Sequence, residues 1–192
     1  MGVLFGDFSM IYSLDLHTAL LLTGLLLIAA HLFALVGSKA VREKLRLFPR
    51  SQTAGFILLV IAAAWSWYLI KTIDLGEFSN WRTRILIIIP VVAVLTLRYV
   101  DEFLAARALG MVALLAAEPL LEAAWLRPEN GRLFLVVLAY AWIILGMFWI
   151  GTPYTLRDQI GWVTKTAARW NAAASAGIAY GALLIIIAIL HR

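Results

Sequence analysis

The chain contains no cysteine, and only 14% of its 192 residues are charged. The absence of cysteine excludes disulfide frameworks, thiolate nucleophiles, iron–sulfur clusters and cysteine-ligated zinc. The shortage of charge excludes a water-soluble domain, because about a quarter of the residues in such a domain are charged. Apolar residues make up 64% of the chain instead, and its mean hydropathy is +0.93. The composition therefore predicts a protein that spans a membrane several times.

Six apolar runs are long enough to cross a bilayer as α-helices, for which about 20 residues are needed. We place them at 11–36, 53–73, 83–99, 108–126, 133–152 and 170–190. The third run is the weakest, because its uncharged centre is only thirteen residues long. It spans the membrane if Arg84 and Arg98 extend to the two interfaces. Since only short connectors remain, we predict one all-α domain over residues 1–192, a bundle of six transmembrane helices.

Two of the connectors have the pattern of short helices that lie along the membrane surface. In 37–53, Val41, Leu45 and Phe48 recur at helical spacing with basic residues between them. Such a helix lies at the level of the lipid headgroups and attracts anionic lipid. The segment 153–165 has a similar pattern. We therefore predict one or two interfacial helices, with membrane lipids as binding partners.

Lysine and arginine collect on one side of the predicted spans. That side has ten of the sixteen basic residues, and the opposite side has six. The ten are Lys39, Arg42, Lys44, Arg46, Arg50, Arg98, Arg107, Arg157, Lys165 and Arg169. The positive-inside rule places the side with ten charges in the cytoplasm and both termini outside. We therefore expect a multi-pass protein of a bacterial-type inner membrane. Because the basic residues are scattered over short connectors, we expect no nucleic-acid partner.

The fourth span contains the sequence LLAAEPLLEAAW, in which two carboxylates and a proline interrupt an apolar run. Glu118 falls near the middle of this span, and Glu122 lies one turn further out on the same helix face. An ionised carboxylate in hydrocarbon costs about 2.5–3.5 kcal/mol, so it must be neutral, paired or hydrated. Pro119 cannot donate a backbone hydrogen bond to Leu115, which predicts a helix break beside the carboxylate.

A carboxylate beside a broken helix is typical of proton and cation sites in transporters and channels. We therefore interpret Glu118 as an ion or proton site, Glu122 as an outer relay and Pro119 as a helix break. The alternative is that a protonated Glu118 hydrogen-bonds a neighbouring helix or subunit and holds the bundle together.

The segment RYVDEFLAAR connects the third and fourth spans. Arg98 lies three residues before Asp101 and four before Glu102, a spacing at which side chains pair on a helix. Together with Arg107, these residues form a predicted cytoplasmic mouth that leads to Glu118. The alternative is a turn between two short spans in which the charges neutralise each other.

His17 and His31 are fourteen residues apart, which on a helix places them on one face, about 21 Å from each other. Two haems stacked across a membrane would use this spacing, so a haem b electron carrier is one hypothesis. Each haem also needs a second axial ligand, for which the chain offers only His191, Met111 or Met147. The alternative is that both histidines form hydrogen bonds near the interfaces and that the protein binds no cofactor.

In the sixth span, Ala173, Gly177 and Gly181 recur every four residues. Such a stripe of small residues allows two helix backbones to approach closely, which predicts a packing face. The partner helix can belong to the same chain or to another one. We expect a homo-oligomer or an assembly with other membrane subunits.

Motifs of soluble enzymes are missing from the sequence, which has no phosphate-binding glycine loop, no HExxH and no spacing typical of a Ser–His–Asp triad. We therefore do not expect an enzyme. The leading prediction is a small channel or transporter for protons, cations or a small solute. The alternatives are a non-catalytic subunit or scaffold of a larger membrane complex, and the haem carrier.

Overall fold

A computed structural model describes residues 12, 14–100 and 102–190, and this part of the chain is an all-α bundle without β-strands. Its six long helices are α1 (Leu16–Val36), α3 (Gln52–Thr72), α4 (Arg82–Tyr99), α5 (Leu104–Ala124), α6 (Arg132–Gly151) and α8 (Ala167–Leu190). Each is long and apolar enough to cross a membrane, α4 together with the 3-10 turn Gly76–Trp81 before it. The predicted fold class is confirmed.

Two short helices, α2 (Ser38–Leu47) and α7 (Tyr154–Val163), occupy the segments predicted to lie along the membrane surface. A 3-10 turn, Phe48–Arg50, follows α2. The largest differences from the predicted spans are at three helix starts, since α1 begins at Leu16, α5 at Leu104 and α8 at Ala167. The start of the first span, at residue 11, lies outside the described residues.

Polar side chains fix where two of the spans begin. The Asp15 carboxylate accepts from the His17 amide at 3.1 Å and caps α1. The Ser51 hydroxyl accepts from the Ala54 amide at 3.2 Å and caps α3. Each cap satisfies one of the backbone donors left without a partner in the first turn of a helix.

The ends of the spans form two faces of the bundle. We call the face where α1 begins and α8 ends the terminal face, and the face where α1 ends and α8 begins the basic face. The connectors α4–α5, α2 and α7 lie at the basic face, whereas the loop between α5 and α6 lies at the terminal face.

The spans pack as two antiparallel pairs, α1 with α8 and α5 with α6. In each pair the helices cross where one glycine faces another, namely at Gly24 and Gly181 and at Gly110 and Gly146. A β-carbon at any of these four positions would lie 2.7–2.8 Å from the carbonyl oxygen of the opposite glycine. Close backbone approach of this kind favours helix association in a membrane.

The buried core lies in the half of the bundle nearer the terminal face. Leu20, Leu135 and Leu184 are at most 2% exposed there, within one cluster to which α1, α5, α6 and α8 contribute. The Tyr180 hydroxyl donates to the Phe134 carbonyl at 2.7 Å and joins α8 to α6. The two helix pairs are therefore held together mainly at this end.

Helix α4 packs along one side of the bundle, mainly against α3. None of its residues is buried, and Ile87 and Val94 are more than 60% exposed. An apolar groove of about 440 Å³ lies between α3, α4 and α5. Such a surface is compatible with lipid, in which exposed apolar side chains cost nothing.

Candidate functional site

Glu118 and Glu122 lie on the part of α5 nearer the terminal face. Glu118 is four residues past the middle of Leu104–Ala124, which is about 6 Å along the helix axis towards that face. Glu122 follows one turn later, and the β-carbons of residues so spaced are about 5–6 Å apart. The pair is therefore displaced from the centre of the span.

Helix α5 continues through Pro119 without interruption. The predicted helix break is therefore one missing backbone hydrogen bond, at the carbonyl of Leu115, and not an end of the helix. Ala117 and Leu120, on either side of Pro119, are buried in the core of the bundle. A carbonyl oxygen without its amide partner still lies one turn before Glu118.

Tyr12, in the segment before α1, connects the two carboxylates. Its backbone amide donates to both oxygens of Glu122, at 3.3 Å and 3.2 Å. Its hydroxyl accepts a hydrogen bond from the Trp65 indole nitrogen on α3 and also interacts with the Glu118 carboxyl. Three separate segments of the chain thus meet at one polar cluster, which we call the Tyr12 cluster (Tyr12, Trp65, Glu118 and Glu122).

The environment of Tyr12 keeps its phenol neutral. Burial raises the pKa of Tyr12 above its ordinary value, and the nearby carboxyls of Glu118 and Glu122 raise it further, while the hydrogen bond from Trp65 acts in the opposite direction. A neutral phenol retains its proton, so its hydroxyl can donate a hydrogen bond to a carboxylate. Tyr12 is therefore a hydrogen-bond donor throughout the physiological pH range.

One atom of the Tyr12 cluster has no partner. The Oε2 atom of Glu118 is buried, and no hydrogen bond reaches it from any described residue. Within the described ranges, the ion pairs do not include Glu118 or Glu122. A buried carboxylate oxygen without a donor is costly, and a proton or a bound cation on Oε2 would remove that cost.

A second polar cavity, of about 350 Å³, opens at the terminal face beside the start of α1. Its lining includes His17, Glu129, Asp15 and Arg127, and the last two form a salt bridge of 2.9 Å. Both partners of this salt bridge are at least a third exposed. Asp15, which lines this cavity, is only three residues from Tyr12 in the chain.

The described residues of the predicted cytoplasmic mouth, Arg98, Glu102 and Arg107, lie at the basic face but do not form one group. Arg98 is exposed at the end of α4, and α4 stops at Tyr99 before α5 begins, so no helix continues from Arg98 to Glu102. Asp101 lies outside the described residues. Arg107 donates to the Ile150 carbonyl of α6 at 3.0 Å, and its Nε is buried without a partner among the described residues.

The two histidines have different surroundings. His17 lines the cavity at the terminal face. Nδ1 of His31 donates to the Leu27 carbonyl of its own helix at 2.8 Å, and the Nε2 side of its ring packs directly against Gly177. A haem iron would bind at Nε2, which faces Gly177. Haem ligation by His31 therefore requires that the ring turns away from this glycine.

The packing stripe of α8 is partly occupied within the chain. Gly177 receives the His31 ring, and Gly181 crosses Gly24, so both glycines pack against α1. Ala173 is exposed. Gly177 and Gly181 are therefore not available to another subunit.

Sequence reasoning identified the carboxylates of the Tyr12 cluster but missed Tyr12 and Trp65. Neither residue has a motif or a spacing that relates it to Glu118, since Tyr12 and Glu122 are 110 residues apart in the chain. The available signal was weak: an aromatic residue with a polar group near the end of a span often finds a hydrogen-bond partner.

The described residues contain no group of three His, Asp or Glu side chains that could hold a metal ion. No protein-family model, curated protein or solved structure matches the chain. The function therefore has to be inferred from the geometry of the Tyr12 cluster itself.

Proposed function

We propose that the protein is a small membrane channel or transporter that binds a proton or another monovalent cation at Glu118 and Glu122. The observation that carries the proposal is the buried Oε2 atom of Glu118, which has no donor among the described residues although a second carboxylate lies one turn away. Two ionised carboxylates in this setting repel each other, and hydrocarbon raises the energy of each. One positive charge between them relieves both effects.

The neighbours of the carboxylates suit a site that gains and loses a charge. Tyr12 holds Glu122 by its amide and approaches Glu118 by its hydroxyl. When Glu118 is charged, the hydroxyl can donate to it, and Trp65 keeps the phenol oriented. When Glu118 is protonated, the bound proton is shared with the same group of oxygens. Tyr12 is thus a positioning residue for both states.

We further propose that the basic face lies in the cytoplasm of a bacterial-type inner membrane, because lysine and arginine are concentrated there. The Tyr12 cluster then lies nearer the outer surface. Its cation would arrive through the terminal face, beside the cavity bridged by Asp15 and Arg127.

Flux through the purified protein in proteoliposomes tests the proposal. Vesicles that contain an enclosed pH-sensitive dye and a set K⁺ gradient report proton and cation movement in the same experiment. We expect the wild type to dissipate a gradient, and Glu118→Gln to reduce the rate at least tenfold, because glutamine keeps the size of the side chain but cannot carry the charge. Glu122→Gln should reduce the rate by a smaller factor.

The matched control is Glu77→Gln. Glu77 is an exposed carboxylate in the turn before α4 at the same face, and it is not part of the Tyr12 cluster. We expect the wild-type rate from this variant. The proposal is overturned if Glu118→Gln and Glu77→Gln give the same flux as the wild type, or if the wild type conducts neither protons nor cations.

A second function, that of a non-catalytic subunit of a larger membrane complex, is favoured by α4. This span buries none of its own residues and borders the apolar groove against α3 and α5. Mild detergent extraction from the native membrane, followed by size-exclusion chromatography, distinguishes the two functions. A stable set of other chains that elutes with the protein would favour the subunit, and a homogeneous species of this chain alone would favour the transporter.

A further inference from the structure

A polar cavity lies at the basic face, remote from the Tyr12 cluster. It has a volume of about 290 Å³ and is situated between α2 and the turn that follows α7. Its lining consists of five side chains, namely Lys39, Arg42, Glu43, Arg46 and Thr164. We call it the α2 cavity. The cavity lies at the opposite face of the bundle from Glu118.

The charges around the α2 cavity are mainly positive. Lys39, Arg42 and Arg46 are spaced by three and four residues, which places them on one face of α2. Glu43 is the single acidic side chain in the lining. Three cations and one anion leave a positive excess, which attracts an anion to the cavity.

Two of the cationic groups are held in place by the protein. The Arg46 guanidinium donates from Nε to the Thr164 hydroxyl at 2.8 Å and from a terminal nitrogen to the Thr164 carbonyl at 2.7 Å. Thr164 is only 2% exposed and donates in turn to the Ile160 carbonyl. The Arg42 guanidinium lies 5.9 Å from the centre of the Trp170 ring.

The bonds to Thr164 leave Arg46 with donors to spare. A guanidinium has five N–H groups, and Thr164 uses two of them. The remaining groups are fixed in direction, because the fork is planar and already anchored. Fixed arginine donors of this kind suit the oxygens of a phosphate group.

The position of the α2 cavity along the spans indicates where the anion comes from. The cavity lies at the face where α1 ends and α8 begins. These two helix ends are joined by a hydrogen bond from the Trp170 indole to the Ala34 carbonyl at 3.2 Å. Trp162, which is 60% exposed, carries Arg169 over its ring at the same level. Exposed tryptophan and arginine at span ends are typical of the headgroup region of a bilayer.

From this geometry we infer that the α2 cavity is a binding site for the phosphate group of an anionic phospholipid. Arg46, oriented by Thr164, and Lys39 contact the phosphate oxygens, and Arg42 completes the positive rim. The acyl chains extend along the exposed apolar side chains at the ends of α1 and α2, such as Val36 and Leu47.

Native mass spectrometry of the detergent-solubilised protein tests the inference. The protein is titrated separately with phosphatidylglycerol, phosphatidylcholine and inorganic phosphate. Detergent removes the surface potential of a bilayer, so general attraction between basic residues and an anionic membrane does not contribute. We expect one saturable molecule of phosphatidylglycerol, bound at least tenfold more tightly than phosphatidylcholine.

Two lysines of α2 provide a matched pair of variants. Lys39 lines the cavity and Lys44 does not, although both belong to the same short helix. Lys39→Gln should weaken phosphatidylglycerol binding about tenfold, and Lys44→Gln should change it less than twofold. Arg46→Gln should weaken binding at least as much as Lys39→Gln. Since the Lys39 side chain is exposed, its replacement keeps the test valid even if Arg46→Gln does not fold.

Three results overturn the inference. Equal losses from Lys39→Gln and Lys44→Gln would show general charge attraction without a site. Phosphatidylglycerol and phosphatidylcholine both carry a phosphate, but only phosphatidylglycerol has a net negative charge, so equal binding of the two would show that the positive rim does not select an anionic lipid. Binding of inorganic phosphate without binding of phosphatidylglycerol would show that the cavity takes a soluble phosphate and not a lipid.

Discussion

Gly24 and Gly181 face each other across α1 and α8 so closely that a β-carbon on either would lie 2.7 Å from the carbonyl oxygen of the other. Such carbon–oxygen distances are shorter than van der Waals contact, so only glycine fits at the crossing. The first and last spans of the chain are therefore joined backbone to backbone, and the pair α5 and α6 repeats the arrangement at Gly110 and Gly146.

We predict that Gly24→Ala and Gly181→Ala each destabilise the protein by about 1–3 kcal/mol, because the added methyl group forces the two backbones apart. The matched control is Gly161→Ala in α7, where an added β-carbon has no atom within 4 Å. The control should be neutral or up to about 1 kcal/mol more stable, since alanine favours the helix. Unfolding in mixed micelles, followed by circular dichroism, measures the differences. Equal stability of all three variants would contradict the close crossing.

Leu126 offers a replacement that should stabilise the protein. It follows α5 with a φ of 54°, in the left-handed region where glycine is favoured after a helix, and its side chain is 78% exposed. We expect Leu126→Gly to raise the free energy of unfolding by about 1 kcal/mol by relieving this conformation.

Phe103 is the matched case for Leu126, because its φ is 56°. Its ring packs with the cluster around Ala106 and lies under the guanidinium groups of Arg50 and Arg157. Phe103→Gly should therefore lower the free energy of unfolding by about 2 kcal/mol or more, since the lost packing exceeds the relieved strain. The same micelle titration compares both variants, and the prediction fails if they change stability in the same direction.

The hydrogen bond between Trp65 and Tyr12 should appear as coupling between two variants. Tyr12→Phe and Trp65→Phe each remove one partner of this bond, so we expect their effects on the free energy of unfolding to be non-additive by about 0.5–1.5 kcal/mol. The control is Trp67→Phe, because Trp67 stands on the same helix and contacts Lys71 instead. Tyr12→Phe and Trp67→Phe should be additive, and coupling of equal size in both pairs would contradict the assignment.

The raised pKa of Tyr12 predicts how the wild type responds to alkaline solution. The folded protein keeps the phenol proton at a pH where the unfolded chain, with a tyrosine pKa of 10.0, begins to lose it. The contribution of Tyr12 to stability is therefore complete below pH 10 and is lost as the pH rises through its higher folded value. Comparison of wild type with Tyr12→Phe isolates this effect from the lysines. The stability difference between them should shrink above pH 10, and a constant difference would contradict the burial of Tyr12.

The six spans could be predicted from the sequence because each is long and has a high mean hydropathy, and the structure confirms the all-α bundle. Which spans pack against each other could not be predicted from the sequence. Gly24 stands alone in an apolar run, where nothing in the local sequence names Gly181 as its partner. The GxxxG motif at Gly177 predicted close packing, but the choice of α1 as the partner depends on the tertiary arrangement of the whole chain.

The candidate site was predicted in part for a similar reason. A carboxylate in an apolar span is visible in any sequence, so Glu118 and Glu122 were identified from their environment. Pro119 was expected to interrupt α5, yet the helix continues through it with buried residues on either side. Tyr12 lies outside the spans, and its contact with Glu122 arises only when the start of α1 meets the end of α5.

The packing of α1 against α8 also has a consequence for the synthesis of the protein. Gly24 leaves the translating ribosome 157 residues ahead of Gly181, which corresponds to about 10–30 s at ordinary rates of synthesis. During that interval α1 is in the membrane without its packing partner α8. Helices α5 and α6 are adjacent in the chain, so they can pair before α8 is synthesised. A chain truncated before α8 thus leaves the Gly24 face of α1 without its packing partner and exposed to lipid.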